Sequence, residues 1–223
     1  PCNISLMRQA QAVKKGVASA NGTPREFCTI TVTDGIAMGH QGMKASLVSR
    51  DVIADSVELT MRGHCYDALV GLAGCDKSLP GMMMAMARLD LPAIYLSGGP
   101  GQMNIRNHPQ PQASIDHNAY PGDLERTTGT FTCSTCGACE IMGTANTFQC
   151  LAEVLGICIP GSANIPGWHS DKLEAARLTG ERVVGLVNEG LKAGQMFTET
   201  SLRNAVITNM AIGGSTNATL HLP

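Results

Sequence analysis

Two short apolar runs, residues 68–73 and 93–96, constrain the fold of this chain more than any other feature. Each run is bounded by glycine, proline or polar residues, and a helical stretch over residues 82–89 lies between them. This order of strand, helix and strand favours parallel pairing, because the helix supplies the crossover that parallel strands need. Residues 27–32 are rich in β-branched side chains and predict another strand. We therefore expect an α/β fold, with a parallel sheet flanked by helices.

Helices are predicted elsewhere from apolar residues that recur at helical spacing. Ser49 is expected to be the N-cap of a helix whose inward face is Ile53, Val57 and Met61. The other predicted helices cover residues 3–20, residues 144–155, residues 173–191 and a short segment after Gly213-Gly214.

A loop of glycine, proline, cysteine or charged residues follows each predicted strand, at residues 34–35, 75–77 and 98–100. Because the carboxyl ends of parallel strands meet at one edge of a sheet, these loops are expected to converge there, where ligands usually bind. The sequence Cys75-Asp76-Lys77 combines a soft ligand, a hard ligand and an amine. We interpret it as a point where two different metal environments meet.

Length and charge narrow the class of protein. A chain of 223 residues can bury a full core, and one large domain is expected. The formal net charge is −2, from 16 basic and 18 acidic residues spread along the chain, so neither nucleic acid nor a membrane is the expected partner. No membrane span or signal peptide is recognisable. The chain begins at Pro1 and ends at Pro223, and we expect it to be a piece of a longer protein whose targeting segment, if any, is not observable.

The chain contains nine cysteines, and three of them form a C-x-x-C-x-x-C row at Cys133, Cys136 and Cys139. An odd number with this spacing favours metal or cluster ligation in a reducing compartment over disulfides. A zinc site completed by Cys75 or His117 and a cluster that draws cysteines from separate loops both remain open.

Two further residues are candidate substrate contacts. His40 lies in a glycine-rich loop at the expected binding edge, and a purely structural role is equally favoured. Ser215 follows two glycines at a predicted helix start, where backbone N–H groups can bind an anion.

The motifs occur in a characteristic order along the whole chain: residues 34–40, 49–58, 75–81, 137–139, 144–146, 155–156, 160–162 and 213–217. Together they resemble the family of dihydroxy-acid dehydratases and related sugar-acid dehydratases, most closely the former. The resemblance implies a three-layer α/β/α N-terminal domain. It also implies a 2Fe–2S cluster held by Cys2, Cys75 and Cys139, so that Cys133 and Cys136 are not ligands.

The resemblance further implies a Mg²⁺ site made by Asp34, Asp76 and Lys77. Lys77 would be carbamylated, since an unmodified ammonium cannot ligate a cation. Family members complete the site with a glutamate ligand and a serine base from a C-terminal domain, and neither motif is present here. Residues 1–223 are therefore expected to form an incomplete N-terminal domain that has no catalytic base and is inactive alone.

The implied reaction converts a 2,3-dihydroxy acid into a 2-keto acid and water. Residues 74–81 and 49–58 favour 2,3-dihydroxyisovalerate and 2,3-dihydroxy-3-methylvalerate, in valine and isoleucine biosynthesis, whereas residues 140–143 lean toward a sugar-acid (aldonate) dehydratase. An alternative of another class is a non-catalytic zinc or redox-sensing module built on the cysteine row. The full-length protein is expected to be a homodimer in the cytoplasm, or in an organelle if it is eukaryotic.

Overall fold

In the part of the chain that the computed structural model describes, the central sheet has two parallel strands, β1 (Leu69–Ala73) and β2 (Ala93–Ser97). Leu69 pairs with Ala93 at one end and Ala73 with Ser97 at the other. The structure describes residues 2–102 and 135–222. Its helices are α1 (Leu6–Ser19), α2 (Asp34–Ala37), α3 (Lys44–Gly63), α4 (Ser78–Leu89), α5 (Thr144–Val154), α6 (Ser170–Glu189), α7 (Glu199–Ala211) and α8 (Thr216–His221). Two 3₁₀ turns, Gln41–Met43 and Ala193–Gln195, precede α3 and α7.

Helices cover both faces of this sheet, because successive side chains of a strand point to opposite sides. Leu69, Ala73 and Tyr95 belong to the larger core, which they share with α3, α4 and α5. Val70 and Leu96 belong to a smaller core on the other face, between the sheet and the helices α1 and α6. The expected α/β architecture is therefore confirmed: a parallel sheet lies between helical layers.

The strand predicted over residues 27–32 was wrong. Residues 22–33 form no regular secondary structure. The segment runs along α3 instead: the ring of Phe27 stacks on Tyr66 at 6.4 Å, and the hydroxyls of Thr29 and Ser56 are hydrogen-bonded. Its β-branched residues favour an extended backbone, but nothing in the local pattern specifies a strand to pair with.

Two other helix predictions differ from the structure. Helix α3 begins at Lys44, so that Ser49 lies inside it and donates to the carbonyl of Ser46 rather than capping an end. Helix α7 was not predicted, because its apolar residues do not form a single inward stripe; Ile207 and Met210 are exposed. Within residues 2–102 and 135–222, no helix is long and apolar enough to cross a membrane.

Helices α1 and α6 pack in direct backbone contact at two glycines. A Cβ atom at Gly16 would overlap the carbonyl oxygen of Arg177, and one at Gly180 would overlap the carbonyl oxygen of Val13. Rigid backbone cannot yield as a flexible side chain can. The contact therefore requires glycine on both helices.

Replacing Gly180 by alanine is expected to lower the melting temperature, because it forces these two helices apart. An overpacked core contact costs about 1–3 kcal/mol, which corresponds to roughly 2–12 °C for a domain of this size. Gly185→Ala, in the same helix, is the matched control: its new methyl group would meet only flexible side chains of Arg182 and Glu189. That control should leave the melting temperature unchanged or raise it, as alanine favours helix. Thermal melting followed by circular dichroism measures both.

Candidate functional site

The candidate site lies where β1 ends. Ala73 is followed by Gly74, and a side chain at Gly74 would collide with the backbone oxygen of Cys2. The backbone N–H of Gly98, just after β2, donates to the carbonyl of Ala73 at 2.7 Å. The N-terminal segment and the ends of both strands therefore meet at one edge of the sheet.

The loop after β2 positions Cys139. The backbone N–H of Ala138 donates to Gly99 at 2.8 Å, and the N–H of Gly101 donates to Ala138 at 2.7 Å. Gly137, immediately before this bridge, has a φ of 140° and lies against the backbone of Pro100. A residue 64 positions beyond Cys75 in sequence is thus held at the same edge of the sheet.

Three thiols are brought into contact there. Cys2 and Cys75 are buried and Cys139 is half-buried. Hydrogen bonds with Cys139 and Cys75, together with burial, raise the pKa of Cys2 well above its ordinary value. The hydrogen bond from Cys2 is the main cause that lowers the pKa of Cys75 and that of Cys139, each to about 7. These hydrogen bonds favour the thiolate, the form that ligates metals, at Cys75 and Cys139, and binding of a metal at Cys2 would release its proton.

The contacts among these thiols run in pairs through Cys2. In the described part of the chain, no three His, Cys, Asp or Glu side chains surround one point as the ligands of a single metal ion would. A dinuclear cluster distributes its cysteine ligands over two irons, so pairwise contact is compatible with it.

Cys136 lies elsewhere. It lines a small cleft of about 90 Å³ together with Arg8, Trp168 and His169. Cys133 and His117, which the zinc interpretation used, lie outside the described residues.

A buried carboxylate and a buried lysine form the second half of the site. Lys77 Nζ donates to Asp34 Oδ2 at 2.9 Å, and Ser46 Oγ donates to the same oxygen at 2.7 Å. The other oxygen, Asp34 Oδ1, is buried and has no hydrogen-bond partner among the described residues. Buried carboxylate oxygens are normally satisfied, and an unpaired one is the group that a cation would bind.

Asp76 stands beside this pair, with its Oδ2 atom 3.9 Å from Lys77 Nζ. Burial raises the pKa of Asp76, and the nearby charge of Asp34 adds to this effect, whereas the hydroxyl of Thr144 and the charge of Lys77 oppose it. The predicted convergence of residues 34 and 75–77 is therefore seen, although Asp34 is carried by the short helix α2 and not by a strand end.

The two candidate substrate contacts differ in their surroundings. His40 is exposed, and both its ring nitrogens are bonded within its own loop: Nδ1 accepts from the N–H of Gly42, and Nε2 is 2.8 Å from the carbonyl oxygen of Ile36. Ser215 caps α8, and its hydroxyl lies 3.1 Å from Thr144 Oγ1. Only Ser215 is thus connected to Asp76, through Thr144.

Sequence reasoning missed Arg50 and His221. Arg50 Nη1 lies 2.9 Å from His221 Nδ1, although the two residues are 171 positions apart. Burial, and then the positive charges of Arg50 and Lys77, lower the pKa of His221 to about 4. Neither residue lies in a pattern that would have indicated this contact; only the fold reveals it.

Comparison with known proteins identifies relatives along the entire chain. The model of the family "Dihydroxy-acid/6-phosphogluconate dehydratase N-terminal" matches residues 1–223. A dihydroxy-acid dehydratase of Parvibaculum lavamentivorans is 54% identical across 100% of this chain and 40% of its own length. The dihydroxy-acid dehydratases of Pelagibacter ubique and Pyrococcus abyssi are 52% and 43% identical, each across 100% of this chain and 40% and 42% of their own lengths. The chain thus spans about 40% of the length of the curated relatives it matches.

Proposed function

This chain belongs to the dihydroxy-acid/6-phosphogluconate dehydratase family, and we propose that it forms the cofactor-binding part of a hydro-lyase that converts a 2,3-dihydroxy acid into a 2-keto acid. The observation that carries the proposal is the juxtaposition of two ligand sets at the end of β1. Cys75 belongs to the group of thiols, and the next two residues belong to the group with Asp34.

Cys2, Cys75 and Cys139 are the proposed ligands of a 2Fe–2S cluster. The contacts of Cys2 with the other two thiols support this assignment, as do the pKa values of about 7 for Cys75 and Cys139, because ligation requires thiolates. When bound, such a cluster supplies an iron with an open position, a Lewis acid for a departing hydroxyl group.

Asp34, Asp76 and Lys77 are the proposed Mg²⁺ ligands, with Lys77 carbamylated. Carbamylation turns the ammonium of Lys77 into an anion, so its present attraction to Asp34, at 2.9 Å, would become repulsion. A divalent cation between the two groups removes that repulsion. The modification and the metal would therefore depend on each other, and Mg²⁺ would orient the substrate carboxylate and its C2 hydroxyl.

The surrounding residues of the chain keep these ligands in position. Ser46 fixes one oxygen of Asp34 and leaves the other for the cation, while Thr144 holds Asp76. The base that removes the C2 proton is not among the residues assigned here. We propose that it is a serine from the part of the full-length protein beyond these 223 residues, so this segment alone would be inactive.

The proposed substrates are 2,3-dihydroxyisovalerate and 2,3-dihydroxy-3-methylvalerate, as the relatives are named dihydroxy-acid dehydratases. Aldonic acids are the second candidate, since the matching family model also covers 6-phosphogluconate dehydratases. A cytoplasmic homodimer is proposed for the full-length protein.

The test uses the full-length protein, purified without oxygen. We expect brown protein that contains iron and acid-labile sulfide. The kcat/KM for dihydroxyisovalerate should be at least about 10-fold higher than that for gluconate, which corresponds to about 1.4 kcal/mol of transition-state binding. A preference for gluconate would move the assignment to sugar acids. Colourless protein that contains stoichiometric zinc would contradict the cluster and support a zinc module.

A further inference from the structure

The proposed cofactor ligands do not account for the contact between Arg50 in α3 and His221 in α8. His221 Nε2 and Arg50 Nε are both buried, and neither has a hydrogen-bond partner among the described residues. Leaving a buried polar atom unpaired is unfavourable, and two of them at one place indicate that something absent from this segment bonds to them.

The hydrogen bond between these residues sets the tautomer of the histidine. A guanidinium can only donate, so Nδ1 of His221 must accept from Arg50 Nη1 at 2.9 Å. The ring proton of the neutral imidazole is then on Nε2. Because Nδ1 accepts from a guanidinium and carries no proton, and burial disfavours a charged ring, the unpaired Nε2 atom is an N–H donor.

This donor lies beside the proposed Mg²⁺ site. Ser46, which bonds Asp34, and Arg50, which bonds His221, are four residues apart and therefore neighbours on one face of α3. The ring of His221 also packs 5.9 Å from that of Phe148, in the helix that Thr144 opens. The surroundings favour an anion: both unpaired atoms are donors, and Arg50 contributes a positive charge that Asp51, 3.4 Å away and half exposed, balances only in part.

We propose that His221 donates from Nε2–H to the carboxylate of the dihydroxy acid, and that Arg50 is a positioning residue that fixes the tautomer required. The inference rests on the proposed function and adds a recognition element to the same site. It assigns to His221 the binding of the substrate group that dihydroxy acids and aldonic acids share.

The test replaces His221 in the full-length enzyme with leucine, glutamine and asparagine. We expect His221→Leu to raise the KM for 2,3-dihydroxyisovalerate by about 10- to 100-fold, the effect of one lost hydrogen bond to a charged group. The dissociation constant of the product 2-ketoisovalerate, measured by equilibrium dialysis, should rise by the same factor. The kcat value should change much less. His221→Gln should restore binding to within about 5-fold, because its amide nitrogen can reach the place of Nε2, whereas the shorter His221→Asn should not. Arg50→Met should raise KM as well, by freeing the other tautomer.

His64→Leu is the matched control, since His64 stacks on Tyr66 at the surface and should leave KM unchanged. Cluster absorbance and melting temperature identify variants that fail to fold. Among the variants that fold, His221→Gln and His221→Asn are both polar amides, so a difference in KM between them reports the position of the donor nitrogen. Unchanged KM in His221→Leu, or equal KM in the glutamine and asparagine variants, would overturn the role of His221. Wild-type enzyme that dehydrates neither class of acid would instead overturn the proposed function.

Discussion

Cys139→Ser is expected to abolish the visible absorption of the proposed iron–sulfur cluster and, with it, the proposed dehydratase activity of the full-length protein. A serine hydroxyl is a poor ligand for iron, and Cys139 belongs to the contact of thiols at the end of β1. Iron content and the visible spectrum of the anaerobically purified variant measure the result. We expect iron to fall by about 10-fold or more, in line with the loss of a strong ligand.

Cys136→Ser is the matched control, three residues away in the same row. Because Cys136 lines the cleft with Trp168 and not the contact of thiols, its replacement should leave iron, colour and activity near those of the wild type. If Cys136→Ser bleached the protein and Cys139→Ser did not, the assignment of ligands would be reversed.

Lys77→Arg is expected to reduce dehydratase activity by about 1,000-fold or more, because a guanidinium keeps the positive charge but cannot be carbamylated. The loss corresponds to about 4 kcal/mol of transition-state stabilisation, typical of a missing catalytic metal ion. The variant keeps an ion pair with Asp34, so its melting temperature without Mg²⁺ should stay close to that of the wild type. The dissociation constant of Mg²⁺ should rise in parallel with the loss of activity.

A second readout detects the modification itself. Wild-type protein incubated with ¹³C-bicarbonate should give a carbamate signal in its NMR spectrum, and Lys77→Arg should not. Lys14→Arg is the control, because Lys14, on α1, forms a partly exposed ion pair with Glu26. This substitution should change neither the carbamate signal nor the activity. Full activity in Lys77→Arg would contradict the proposed role of carbamylated Lys77.

Much of the central fold could be predicted because its signals are local. The apolar runs at β1 and β2, with a helix between them, leave few arrangements other than a parallel pair. The approach of Asp34 to Lys77 was expected from the same rule, but the strand that was to place Asp34 there is absent and the short helix α2 carries it instead. The cysteine row was less informative, because its equal spacing nominated Cys136 and Cys139 alike. The family resemblance separated them, and in the structure the bridge between Pro100 and Ala138 places Cys139 at the sheet edge.

The features that could not be predicted depend on contacts between distant segments. Whether residues 27–32 pair as a strand depends on which neighbour the fold offers, and here the segment lies on α3. The contact of Arg50 with His221 joins residues near opposite ends of the chain, and no local pattern encodes it.

The close contact between α1 and α6 would also determine when the proposed iron–sulfur cluster can be inserted. Cys2 lies four residues before the start of α1, and α1 is held against α6 by backbone contacts that include those of Arg177 and Gly180. During synthesis, the first cysteine therefore emerges long before the segment that anchors it, and closing such a long loop is slow. Insertion of a cluster would then be a late step that follows folding, and a nascent or truncated chain would expose reactive thiols until that contact is made.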